Sequence, residues 1–166
     1  MTEADATDLR PEATKVNELQ ITSRSRAAIE AHAAACYPEE ACGFVVDREG
    51  REEVVPVRNV QNERRAADPT LRDARTAYTM GQEAVPVLTG HERGELVIRA
   101  IFHSHPDHDA YFSAEDRAQA TVWDEPSYPE AGQIVISVRG GEVKATKAFA
   151  WDPGARDYRE IPFVVS

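Results

Sequence analysis

The sequence predicts an α+β domain, an α/β/α-like sandwich in which helices flank a mixed, mostly antiparallel sheet. Two observations carry this. Apolar residues recur at helical spacing after Thr22, in Ala27, Ala28, Ile29, His32, Ala33 and Ala34. Short apolar, β-rich runs bounded by turn residues recur along the remainder, and two of the joins, Asp47-Arg48-Glu49-Gly50 and Arg139-Gly140-Gly141-Glu142, are tight turns that reverse the chain.

Taken in order, residues 1–18 are rich in Glu, Asp and Thr and poor in apolar residues, and they read as a disordered leader ahead of a single domain over 19–166. Thr22 or Ser23 then caps a helix, which ends near Cys36 because Pro38 biases Tyr37 away from helical geometry. Residues 41–46 form a buried strand. Residues 53–60 return beside it, with Pro56 marking an edge position. The charged stretch 61–76 reads as a loop long enough to serve the rim of a site. Residues 76–80 suggest a short strand, and residues 82–92 have helical content interrupted by Pro86. The run 96–102 is a strand leading into His103-Ser104-His105-Pro106, and a helix is expected over 113–123. Strands at 133–138, 143–151 and 158–165 complete the sheet.

Composition limits the function. At 166 residues and 42% apolar content the chain can bury the core of one domain. Acidic residues outnumber basic ones 29 to 19, and the net charge of −10 disfavours nucleic acid and anionic lipid as partners. No apolar run approaches the roughly 20 residues of a membrane helix. The N-terminus lacks the basic start and apolar core of a signal peptide, so a cytoplasmic location is expected. Cys36 and Cys42 do not make a disulfide scaffold and read as reduced core thiols.

The chemistry concentrates at the end of the central strand. Side chains alternate along a strand, so His103 and His105 point one way and Ser104 the other. Two imidazoles on one face can hold a single cation. Asp116, in the first turn of a helix that Ser113 caps, is the candidate third ligand. Two nitrogens and one oxygen make an open site by count, of the kind in which zinc keeps its fourth position for water. A base is then needed, and spacing alone does not place one. The plainer reading of Ser113 and Asp116, an N-cap with an acidic third position, is compatible with this role. His108 and Asp109 read as loop residues, and His32 and His91 as surface or satisfied helical histidines.

Glu40, His103-Ser104-His105-Pro106 and Ser113-Ala114-Glu115-Asp116, with seven residues between His105 and Ser113 and two between Ser113 and Asp116, resemble the JAMM motif of the MPN+ zinc metalloproteases. Pro38-Glu39-Glu40-Ala41-Cys42-Gly43 resembles the compact bacterial branch of that family. The resemblance runs from about residue 23 to the C-terminus and implies a cytidine-deaminase-like MPN fold. Carried over by position, it implies that His103, His105 and Asp116 bind one Zn²⁺. It further implies that Glu40 is the general base and later proton donor, and that Ser113 presents its hydroxyl to the oxyanion. Ser104 receives no chemical role. The implied activity is hydrolysis of a peptide or isopeptide bond after the C-terminal Gly-Gly of a ubiquitin-like, sulfur-carrier protein, releasing cysteine or a short extension. Two alternatives stay open: a non-catalytic scaffold of the same fold, and a zinc amidase acting on small molecules.

Overall fold

The computed structural model describes residues 15–166; of the expected leader, residues 1–14 lie outside this range. A short strand β1 (Leu19–Ile21) leads into helix α1 (Ser23–Cys36), whose N-cap Thr22 accepts the Ser25 N–H. The hairpin β2 (Cys42–Arg48) and β3 (Arg51–Val57) follows, turning at Glu49-Gly50 with both residues at positive φ. Next come α2 (Gln61–Ala67), α3 (Ala84–Glu92) and the ligand strand β4 (Val97–Pro106). Helix α4 (Ala114–Ala120) is followed by a small hairpin, β5 (Thr121–Val122) and β6 (Glu125–Pro126). The chain closes with β7 (Gly132–Arg139), β8 (Glu142–Asp152), β9 (Asp157–Ile161) and β10 (Phe163–Val165).

The main sheet has six strands in the order β3-β2-β4-β7-β8-β9. Only β4 and β7 pair in parallel, which gives the mixed, mostly antiparallel sheet that the sequence predicts. Pro56 sits on the edge strand β3, where its missing N–H faces no partner. Helix α1 covers one face, over a core that includes Ile29, Ala33, Val45, Phe102, Ile134 and Ile136. The other face packs Phe44, Val46, Val87, Leu96 and Ile98 under α3.

A bulge decides which face the histidines use. Val45 pairs with Ala100 and Val46 with Ile98, so Arg99 is an extra residue in β4. Beyond it, Phe102 and Ser104 point toward the α1 side, and Ile101, His103 and His105 toward the other. Gly43 lies opposite Phe102, and a Cβ there would stand 2.5 Å from both the Phe102 ring and the Val55 carbonyl oxygen. The Cys42-Gly43 pair is therefore a packing requirement of the sheet.

Several boundaries differ from expectation. The first half of the 61–76 stretch is helical: Arg, Glu and Ala are good helix formers, and Asn59 Oδ1 accepts the Gln61 N–H at the helix start. Residues 76–80 contribute only an isolated bridge, Asn59 to Met80, because the Asn59 side chain takes the Thr79 N–H and the Ala77 carbonyl that a strand would pair. Pro86 does not interrupt α3, since it lies in the first turn where its missing N–H has no partner to lose. The helix expected over 113–123 stops at Ala120, and Trp123 and Asp124 take left-handed conformations at the tip of the β5–β6 hairpin. The expected last strand is divided at Pro162; its second half, β10, pairs with β1, a strand of three residues formed within a stretch that shows no strand pattern. No helix among the described residues is long and apolar enough to cross a membrane.

Replacing Gly43 with Ala should destabilise the protein by about 1–3 kcal/mol in chemical denaturation, because neither the ring nor the carbonyl has room to retreat. An unchanged midpoint would show that the contact relaxes freely.

Candidate metal centre

Strand alternation brings the two imidazoles together, with Nε2 of His103 3.1 Å from Nε2 of His105. Helix α4 supplies the third group: Asp116 Oδ1 is 3.1 Å from His103 Nε2, and Oδ2 is 3.2 Å from His105 Nε2. The α4 cap fixes that carboxylate. Ser113 Oγ accepts the Asp116 N–H and Asp116 Oδ2 accepts the Ser113 N–H, a reciprocal capping box. The plain reading of these two residues, an N-cap with an acidic third position, holds, and the same cap sets the Asp116 carboxylate against both imidazoles.

Glu40 arrives from the turn before β2. Its N–H donates to the Ala74 carbonyl at 2.7 Å. Its carbonyl accepts from Asn59 Nδ2 at 2.9 Å. The next residue, Ala41, donates to Ser104 Oγ at 2.7 Å and accepts from the Ser104 N–H at 3.0 Å. Glu40, His103 and His105 are all buried, and each offers a ligand atom within 4.8 Å of the others. All five residues singled out in the sequence therefore meet: four line an open cleft of about 410 Å³, and the buried His103 touches two of them, His105 and Asp116.

The donor set fits a small divalent cation. The His103 and His105 Nε2 atoms are 3.1 Å apart, close to the edge of about 3.3 Å that bonds of about 2.0 Å subtend in a tetrahedron, and each has one Asp116 oxygen at 3.1–3.2 Å. His105 Nδ1 lies 2.9 Å from the Asp109 carbonyl oxygen, which accepts only, so Nδ1 carries a hydrogen and Nε2 is the nitrogen that faces Asp116 and would face an ion. Aromatic rings flank the imidazoles: Tyr78 stacks on His103 at 5.1 Å, Tyr111 packs against His105, and Phe112 borders His103.

Electrostatics agree. Burial lowers the His103 pKa below the ordinary histidine value, although Asp116 opposes this. At His105 burial also pulls downward, but bonds to Asp116 and to the Asp109 carbonyl outweigh it and raise the value. Burial alone would raise Asp116, yet hydrogen bonds with both histidines and with the Ser113 N–H hold it far below the carboxylate range. Burial pushes Glu40 up to about 8; His105 opposes this and the Asp116 carboxylate adds to it. Without a cation, Glu40 keeps its proton at neutral pH.

Sequence reasoning missed four contributors. Asn59 uses its whole amide, donating to the Glu40 and Ala77 carbonyls and accepting from the Gln61 and Thr79 N–H groups. Ser104, given no chemical role, ties the Glu40 turn to the ligand strand. Asp109 acts through its backbone carbonyl, while its side chain pairs with Arg139. Tyr78 covers His103. Cys42 packs as expected, its Sγ 3.5 Å from the Val57 carbonyl oxygen.

The family of prokaryotic homologs of the JAB domain matches residues 22–152, and the chain belongs to it. Tail tip assembly protein K of Escherichia phage N15 is 37% identical over 117 residues; the match takes in 68% of this chain but 42% of that protein. A solution structure of a protein from Desulfitobacterium hafniense superposes with a TM-score of 0.62 at 23% identity, over 89% of this chain and 92% of that one. A protein from Salinibacter ruber gives 0.58 at 24% identity, over 89% and 91%. A JAB1/MPN domain protein from Archaeoglobus fulgidus gives 0.50 at 12% identity, over 90% and 98%. These likenesses establish the fold.

Two measurements check the centre. Zinc content after dialysis should be about one per chain in the native protein and near zero in His103→Ala and Asp116→Ala, with Glu40→Gln retaining the ion; full retention in Asp116→Ala would remove that residue from the ligand set. The second uses Glu40 in the metal-free protein. Its value is raised in the folded state from an ordinary 4.5 to about 8, so its contribution to stability is complete below pH 4.5 and is lost as pH rises through 8. Metal-free native protein should therefore lose stability relative to metal-free Glu40→Gln between about pH 5 and 9, by an amount on the order of a few kcal/mol. A difference in urea midpoints that stays constant with pH would contradict this.

Proposed function

We propose that the chain is a zinc-dependent peptidase that hydrolyses the peptide bond after the C-terminal Gly-Gly of a ubiquitin-like, sulfur-carrier protein, releasing cysteine or a short extension. The observation that supports hydrolysis is the meeting of Glu40 with His103, His105 and Asp116 beside one cleft. Membership of a family that includes metalloproteases supports it as well.

His103, His105 and Asp116 would hold the ion, which when bound supplies Lewis acidity toward a carbonyl oxygen and lowers the pKa of water. A cation beside Glu40 offsets the burial that keeps its carboxyl protonated, and so restores the form that accepts a proton. Glu40 then takes a proton from the attacking water as its oxygen bonds to the carbonyl carbon. It returns that proton to the leaving nitrogen as the C–N bond breaks. Ser113 Oγ spends a lone pair on the Asp116 N–H, which leaves its own hydrogen free to donate to the developing oxyanion. Tyr111 and Phe112 shield the imidazoles from water. Against the scaffold alternative stands the complete set of ligands and base.

A second reading rests on the 37% identity with a phage tail tip assembly protein. In that reading the same hydrolytic centre processes a tail protein.

Glu40→Gln should keep zinc and lose about 10²–10⁴ in turnover, and Ser113→Ala should lose about 10²–10³. The assay is mass spectrometry of a carrier-type protein ending in Gly-Gly-Cys. Cleavage after Gly-Gly supports the carrier reading. An intact carrier with zinc bound rejects that substrate and favours the tail protein. Rapid cleavage of a bare glycyl-cysteine dipeptide favours the small-molecule amidase.

A further inference from the structure

We propose that the cleft beside Glu40 is a slot for a chain end, in which Arg75, assisted by Arg72, binds the free terminal carboxylate of the segment to be released. This rests on the hydrolase reading and assigns the residues that recognise the end of the released segment.

Four observations lead there. The protein is strongly acidic, at net −10, yet one wall of the cleft carries two arginines, Arg72 and Arg75. Arg75 is 72% exposed, and its one ion pair among the described residues is a loose contact of 3.9 Å to Asp73. Its guanidinium is thus free to make a paired bond with a planar carboxylate. Arg72 reaches across the cleft to Glu115 of α4, so an ion pair joins the two walls there. An extended chain passing through in both directions would have to part that pair, whereas a chain that ends there leaves it in place.

The arginines are also held in register with the base. The Arg72 carbonyl accepts from Gln61 Nε2 at 2.9 Å, and the Ala74 N–H donates to Asn62 Oδ1 at 2.9 Å. The Ala74 carbonyl takes the Glu40 N–H, so Arg75 follows directly after the residue that anchors Glu40. A carboxylate bound by Arg75 therefore lies a short length of chain from the scissile bond. Glu115 would repel an incoming carboxylate, but Arg72 neutralises it, which makes Arg75 the principal donor. A cleft of about 410 Å³ suits a few residues, not a folded surface.

The test compares two fluorescent peptides of one sequence ending in Gly-Gly-Cys, one with a free C-terminal carboxylate and one with a C-terminal amide. Hydrolysis is measured with zinc-loaded native protein, Arg75→Gln and Arg75→Lys. Binding is measured by anisotropy on zinc-loaded Glu40→Gln with and without Arg75→Gln. The expected result is that the acid exceeds the amide by about tenfold or more in kcat/KM and in affinity. That ratio should fall toward one in Arg75→Gln and be partly restored in Arg75→Lys. A merely structural role for Arg75 would lower both peptides alike and leave the ratio unmoved, which overturns the proposal. Equal hydrolysis of acid and amide by the native protein overturns the slot and leaves the hydrolase standing. Failure to hydrolyse either peptide, with an Arg75-dependent preference for the acid in binding, overturns the hydrolase and leaves the slot standing.

Discussion

The site depends on one pair of hydrogen bonds between the residue just ahead of β2 and the ligand strand β4. Ser104 donates its N–H to the Ala41 carbonyl and accepts the Ala41 N–H on its hydroxyl oxygen. Strand alternation sends the Ser104 side chain away from the histidines on either side of it, and for that reason it can clamp the residue after Glu40 without entering the cleft. The Glu40 turn is thereby carried over the paired imidazoles. Asn59 holds it from the other side through the Glu40 carbonyl. These groups are buried or half-buried, so losing either clamp would leave an amide or carbonyl unpaired, a state that costs about 1–3 kcal/mol.

The same burial sets the electrostatics. Two carboxylates, the buried Glu40 and the half-buried Asp116, stand beside two buried imidazoles. Desolvation opposes ionising both acids, and Glu40 is the one that yields, because Asp116 alone receives hydrogen bonds from the histidines and the α4 cap. A bound cation would reverse this balance by favouring both anions together.

Much of this was legible in the sequence, for physical reasons that can be named. His103 and His105 on one side of a strand follow from its two-residue period, and the capping box at Ser113 and Asp116 from helix-end chemistry. Pro56 marked its own edge strand, and the Gly140-Gly141 turn marked its hairpin. What was illegible is tertiary. Nothing local to Asn59 says that its amide will satisfy four backbone groups, or that Ser104 will reach Ala41. Helix α2 lacks an apolar stripe because it packs little, so charge alone made it resemble a loop. The end of α4 was misplaced because its successor is a hairpin whose tip residues, Trp123 and Asp124, adopt the left-handed geometry that a Gly or Asn would have announced.

The most direct test of the central claim is a crystal structure of the zinc-loaded protein, with the ion located by anomalous scattering. The account predicts one ion per chain bonded to Nε2 of His103, Nε2 of His105 and the Asp116 carboxylate, with the Glu40 carboxylate beside it and outside the ligand set. An ion bound directly by Glu40 in place of Asp116, or one lying away from the paired histidines, would contradict it.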